Sequence, residues 1–203
     1  MLIVSIKQTS PGRLTLGLED GSDIKTTLGV VTDFRLFQGR DEDEAQIEQI
    51  KLSSARALAR ERALELVSRS FMSRKQLRDK LVRKGEPDEI ADYCVQWLEE
   101  NGFINDENYA ASVARHYTAK GYGAGRIRAE LSRRGVEREL WDGAVEAVSG
   151  SNEEIDKLIS KRLKDPADRD EVRKLGASLY RRGFSWEEIR QAFARRDADA
   201  FED

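Results

Sequence analysis

Lys75-Gln76-Leu77-Arg78-Asp79-Lys80-Leu81-Val82-Arg83-Lys84-Gly85 returns fifty positions later as Gly125-Arg126-Ile127-Arg128-Ala129-Glu130-Leu131-Ser132-Arg133-Arg134-Gly135. A fainter third copy is Arg173-Lys174-Leu175-Gly176-Ala177-Ser178-Leu179-Tyr180-Arg181-Arg182-Gly183, with one extra residue at the turn that follows. A fixed period of this length marks stacked repeats. Each copy places apolar residues eight and four positions before a glycine, which draws one stripe along a helix. The glycine suits the left-handed position that closes a helix. Ile90, Leu140 and Ile189 then open a further amphipathic helix.

Start signals agree with those ends. Ser73 with Gln76, Ser151 with Glu154 and Ser185 with Glu188 have capping-box spacing, and Asn105-Asp106 precedes the helix of Tyr109, Val113 and Tyr117. Each unit is thus a helix, a turn, a second helix ending at glycine, and a third helix. One unit alone cannot bury its stripe, so neighbours must stack. The expected fold is mainly α: three tandem three-helix, helix-turn-helix-like repeats in an elongated curved array, spanning 53–104, 105–150 and 151–203.

Residues 1–52 differ. Leu2, Val4 and Ile6 alternate with Ile3, Ser5 and Lys7, and Leu14, Leu16 and Leu18 alternate with Arg13, Thr15, Gly17 and Glu19. Pro11-Gly12 and Asp20-Gly21 supply turns, and Ile24 to Thr27 return as a short third strand. Val30, Val31, Phe34, Leu36 and Phe37 form a helical connector stopped by Gly39. The expected module is a small β-meander that docks on its neighbour, since three short strands are marginal alone. The acidic run Asp41-Glu42-Asp43-Glu44 reads as a solvated helix start.

Composition bounds the chemistry. The 203 residues carry 35 Lys+Arg and 38 Asp+Glu, a net charge of −3, and charged residues make up 36% of the chain against about 25% in an average domain. Cys94 is the one cysteine and His116 the one histidine, which excludes an internal disulfide framework, a cysteine-cluster zinc site and a histidine triad. No apolar run approaches a membrane span and no signal-peptide pattern opens the chain, so a cytoplasmic protein that contacts no membrane is expected. His116 reads as structural, and Cys94 as a small buried apolar residue. Gly121-Tyr122-Gly123-Ala124-Gly125 lacks the preceding strand and the following Lys-Ser/Thr of a phosphate loop. Nothing assembles a nucleophile, a base and an oxyanion hole. No enzyme, cofactor or metal is expected.

The positive charge is concentrated. Seven basic residues and one acid lie between Arg69 and Lys84, five and one between Lys120 and Arg134, four and none between Arg173 and Arg182, whereas the first fifty residues hold 5 basic and 9 acidic side chains. Helix-end capping explains one basic pair but not three basic helices in equivalent places. An anionic partner follows, with Arg74, Lys75, Arg78, Arg83, Lys84, Arg126, Arg128, Arg133, Arg134, Arg181 and Arg182 as contact candidates. Trp97, Trp141 and Trp186, each in or near a third helix, read as packing between units. Phe71-Met72 and Tyr122, at turns before second helices, fit contact and core closure equally.

In order and spacing, Ser73-Arg74-Lys75-Gln76-Leu77, Leu81, Lys84-Gly85 and Trp97-Leu98-Glu99-Glu100-Asn101-Gly102-Phe103-Ile104-Asn105-Asp106 with Tyr109-Ala110 resemble the RecX family. The likeness continues through Gly121, Gly123, Arg126-Ile127, Glu130-Leu131 and Arg134-Gly135-Val136, and ends with Tyr180-Arg181-Arg182-Gly183-Phe184-Ser185. Ser70-Phe71-Met72 departs from it, where members often carry arginine. The resemblance implies a monomeric regulator, most simply an inhibitor, that binds in the groove of the RecA–DNA filament and damps its assembly, ATP hydrolysis, strand exchange and SOS coprotease activity. Its partners would be the RecA filament and single- or double-stranded DNA, bound weakly or through the filament. Two other readings are a helical-repeat protein acting on DNA directly, with a steep salt dependence, and a non-enzymatic helical scaffold.

Overall fold

The computed structural model describes residues 1–148, 153–165 and 168–199. The chain forms two compact units, Met1–Met72 with Gln76–Ile104, and Ser73–Lys75 with Asn105–Asp203.

In the first unit, alternating apolar residues and two tight turns give the expected meander: β1 (Ile3–Ser10), β2 (Arg13–Leu18) and β3 (Asp23–Thr27), antiparallel in the order β1-β2-β3. Leu16 faces Ile6 on one side and Ile24 on the other. One detail differs from the sequence pattern. A register shift between Ile3 and Ser5 turns Ile3 into the core and leaves Val4 42% exposed, so Leu2, Val4 and Ile6 do not share a buried face. After α1 (Leu28–Asp33), capped by Thr27, the chain returns along β1, where Ile3 N–H donates to the Arg40 carbonyl (2.9 Å).

The acidic run has a local use. Asp41 takes the terminal ammonium at 2.7 Å, Glu42 pairs with Arg40, and the Asp43 carboxylate accepts from Gln46 N–H (2.7 Å) as the cap of α2 (Glu44–Arg69). With that cap and no glycine or proline until its end, α2 runs unbroken for 26 residues, through the 52/53 division expected from sequence. Its first half puts Ile47 and Ile50 against Ile3, Leu16, Leu18 and Ile24. Its second half puts Ala59 and Ala63 against Leu77 and Leu81 of α3 (Arg74–Arg83) and Ala91, Cys94 and Leu98 of α4 (Asp88–Glu100). Between the two cores Ser54 Oγ meets Thr26 Oγ1 at 2.8 Å, a buried hydroxyl pair.

The second unit holds the other two repeats. In one, α5 (Asp106–Ala119), α6 (Ala124–Arg133), a 3-10 turn (Arg138–Leu140) and α7 (Trp141–Glu146) enclose Tyr109, Val113, Ile127, Leu131 and Val145. In the other, α8 (Glu153–Arg162), α9 (Arg169–Arg181) and α10 (Trp186–Asp199) enclose Ile155, Ile159, Leu175, Leu179 and Ile189. Asn105 and Asp168 cap α5 and α9, and Ser185 and Glu188 exchange the two bonds of a capping box (2.7 and 3.2 Å). Ser151 lies outside the described residues.

All three second helices end alike. Gly85, Gly135 and Gly183 have φ of 93°, 71° and 94°. The next N–H reaches back to Leu81, Leu131 and Leu179. Among the described residues no helix is long and apolar enough to cross a membrane.

Candidate partner-binding surface

The three glycine-ended helices carry the basic candidates, and their neighbours decide which of these are available. On α3, Arg78 is held at its Nε by Asp92 and at its Nη2 by Asp88 of α4, both at 2.6 Å, which raises its pKa further. Arg128 repeats the arrangement on α6, with Asp142 of α7 at 2.9 Å. In both cases the acid lies fourteen positions later. The third copy has Gly176 at this place, and there the Trp186 ring comes to 3.5 Å from where a Cβ would be.

Glu130, buried on α6, gathers three more candidates. Its carboxylate meets Arg133 (2.8 Å), Arg126 (3.2 Å) and Arg134 (3.5 Å). Hydrogen bonding from Arg133, with help from Tyr117 and the charges of Arg133 and Arg126, outweighs burial and holds the carboxyl below its usual range. Arg134 is half-buried and also donates to the Tyr109 hydroxyl at 2.8 Å.

Arg134 and Arg182 also belong to joints within the second unit. The Arg134 carbonyl accepts from Ser73 Oγ (2.6 Å), Arg74 N–H donates to Asp106 (2.8 Å), and the Lys75 side chain lies where a Cβ on Gly135 would be. One repeat on, Gly123 N–H donates to the Arg182 carbonyl (3.0 Å) and Gly125 N–H to that of Gly183 (2.9 Å). Arg182 Nη1 bonds the Gly121 carbonyl (3.1 Å), and its guanidinium lies over Tyr122, 5.4 Å from the ring centre. The glycine-rich run is therefore a backbone contact. A Cβ at Gly123 would stand 2.6 Å from the Gly183 carbonyl, and one at Gly183 would stand 2.2 Å from Arg126 N.

Arg83, Lys84 and Arg181 remain exposed at helix ends, with no carboxylate partner among the described residues. The paired-basic pattern thus separates. In the second and third copies the residue next to the glycine is held in a joint within the second unit, while Arg83, Lys84 and Arg181 face solvent.

The tryptophans also divide. Trp97 and Trp141 pack within their own repeats, Trp141 Nε1 donating to the Val136 carbonyl at 3.0 Å. Trp186 is 51% exposed and stacks on Tyr180 with centroids 5.1 Å apart, so none of the three packs between repeats as expected. Each repeat closes its own core, and the joints within the second unit are made largely by backbone groups together with Ser73, Lys75, Asp106, Leu158 and Arg182. Met72 closes a core and Phe71 is exposed; His116 is exposed, edge-on to Tyr117. Cys94 is fully buried and its thiol is pushed up to about 11, chiefly by desolvation. Among the described residues no group of three His, Cys, Asp or Glu could hold a metal ion.

A further set escapes a search for basic runs. On α2, Arg56 lies over the Tyr93 ring (4.4 Å to its centre) and Arg60 over Trp97 (5.1 Å), and Phe103 stacks on Trp97 at 5.9 Å. Their mark in the sequence is the matched four-residue spacing in α2 and α4. No acid stands three or four positions from either arginine.

Models of the first, second and third three-helix domains of RecX match residues 59–98, 105–145 and 152–193 in order. Regulatory protein RecX of Caldanaerobacter subterraneus is 34% identical over 134 residues, covering 66% of this chain and 68% of that one. Its counterpart in Vibrio cholerae is 35% identical over 146 residues, or 70% and 96%. A crystal structure of regulatory protein RecX superposes with a TM-score of 0.77 at 26% identity, covering 94% of this chain and 98% of that one. RecX from Lactobacillus salivarius shares the fold, with a TM-score of 0.62 at 23% identity over 71% and 97%.

Proposed function

The chain belongs to the RecX family of regulatory proteins, and from that membership we propose that it is a non-enzymatic regulator of RecA, acting as an inhibitor on the RecA–DNA filament. It works as a cytoplasmic monomer. The observation that carries this reading is the presence of all three RecX domains in order along one chain. Physical chemistry supports it. Arg83, Lys84 and Arg181 present charge from equivalent helix ends of two different repeats, and several weak contacts linked in one chain gain avidity on a polymeric target. The second helices face acidic protein surface, filament DNA, or both.

The test is single-stranded-DNA-dependent ATP hydrolysis by RecA, titrated with this protein. Inhibition at a small fraction of the RecA concentration supports action on the filament as a polymer. Inhibition only at amounts that coat the DNA reduces the effect to competition for DNA, and no inhibition refutes the proposal. The cleanest charge reversals are Arg83→Glu, Lys84→Glu and Arg181→Glu, which break no ion pair among the described residues. Arg134→Glu would set a second carboxylate beside buried Glu130 and confuse binding with folding.

A further inference from the structure

Most of the basic side chains just described already have partners inside the chain. Arg56 and Arg60 differ. No carboxylate lies within ion-pair distance of either among the described residues, and the buried Nε of Arg56 has no hydrogen-bond partner. Each guanidinium instead rests over an aromatic face of α4. A ring face accommodates the cation but uses few of its five N–H groups, so the rest keep their hydrogen-bonding capacity. The two sit one helical turn apart, about 6 Å along α2. Phe103 stacks nearly parallel on the same Trp97 ring that Arg60 lies over (interplanar angle 20°) and is itself 51% exposed.

We propose that this face of the first unit binds single-stranded nucleic acid, with Arg56 and Arg60 taking successive phosphates and Phe103 offering its ring to a base. Two fixed, unpaired guanidiniums at that interval, with an exposed ring on the tryptophan that one of them covers, are the elements of a strand-binding platform: phosphate neutralisation for affinity and a π-face that any base can stack on. An acidic peptide would also meet the arginines but has no use for the half-exposed ring. The face therefore favours the nucleic acid. This inference deepens the proposed function by locating a strand contact away from the glycine-ended helices. It is tested without RecA, so the two can fail separately.

The experiment is fluorescence anisotropy of a labelled oligothymidylate titrated with the full chain across a range of salt concentrations. The double variant Arg56→Gln/Arg60→Gln should flatten the slope of log affinity against log salt by about 1.4, the contribution of two phosphates on a single strand. Arg56→Lys/Arg60→Lys should keep the slope. Phe103→Ala should weaken binding about five-fold or more with the slope unchanged, and it carries the test if the arginine pair fails to fold. Lys161→Gln/Arg162→Gln, an exposed pair elsewhere, is the control for net charge. Unaltered affinity in Phe103→Ala, or an equal flattening in the control, overturns the proposal. So does a polyglutamate peptide that competes and loses binding in the arginine variant while the oligonucleotide does not.

Discussion

Replacing Gly123 by alanine should separate the second and third repeats. Gly123 has φ −85° and ψ 175°, a conformation any residue adopts, so the backbone itself raises no objection. The obstacle is space. The new Cβ would stand 2.6 Å from the carbonyl carbon and oxygen of Gly183 and from Phe184 N, where ordinary contact begins at 3.4 Å, so the two segments must part by about 0.8 Å. Backbone cannot swing aside as a side chain can. Parting stretches Gly123 N–H to Arg182 (3.0 Å) and Gly125 N–H to Gly183 (2.9 Å) beyond useful length. Those two bonds contribute about 1 kcal/mol each, and overpacking costs about 1–3 kcal/mol more. The reduced freedom of the unfolded alanine chain returns up to about 1 kcal/mol. The net loss is about 2–5 kcal/mol, or about 4–20 °C in melting temperature for a chain of this size. Thermal unfolding followed by circular dichroism measures it. Gly143→Ala is the control of opposite sign: it lies inside α7 with nothing within 4 Å of its Cβ position, so it should stabilise by up to about 1 kcal/mol. A Gly123→Ala melting temperature within about 2 °C of the parent would refute the joint, because even 1 kcal/mol should move it that far.

Glu130 has a lowered pKa, so its stabilisation is present above the unfolded carboxyl pKa of about 4.3 and is lost as pH falls through the folded value. Glu130→Gln should cost about 1.5–3 kcal/mol at neutral pH and progressively less in acid; a constant difference in urea midpoint between pH 7 and pH 3 would contradict the linkage. The Cys94 thiol, buried and pushed up to about 11, should react with a thiol reagent at pH 8 only at the rate of core opening, and prompt stoichiometric labelling of the folded protein would show the core reading wrong. Ser54→Ala alone leaves the Thr26 hydroxyl buried and unpaired at a cost of about 1–3 kcal/mol, whereas Ser54→Ala with Thr26→Val should be nearly neutral; additive losses in a denaturant double-mutant cycle would count against the pair.

Much of the architecture was written in local chemistry. The glycines that end α3, α6 and α9, the leucines and isoleucines four residues apart before them, and the caps at Asp43, Asn105, Asp168 and Ser185 each act over a single turn, so they can be read along the chain. The meander was legible for the same reason, except at Ile3, where a bulge reassigns the inward face and a strict two-residue alternation cannot show it.

The availability of charge was not legible. Arg78 and Arg128 look like free recognition cations until α4 and α7 bring Asp92 and Asp142 to them, and Arg134 and Arg182 look like helix-end decoration until the fold holds their carbonyls in joints within the second unit. Arg56 and Arg60 went unmarked, because a cation over a ring thirty-seven positions away leaves no trace in a count of charges. By itself the sequence determined the repeats, their helix ends and the concentration of basic residues in the second helices, because helical period and left-handed glycines are local properties of the backbone. Only the tertiary structure decided which arginines are spent and which are open. A long side chain's partners are set by what the fold packs beside it, and by desolvation and hydrogen bonding that no single segment contains.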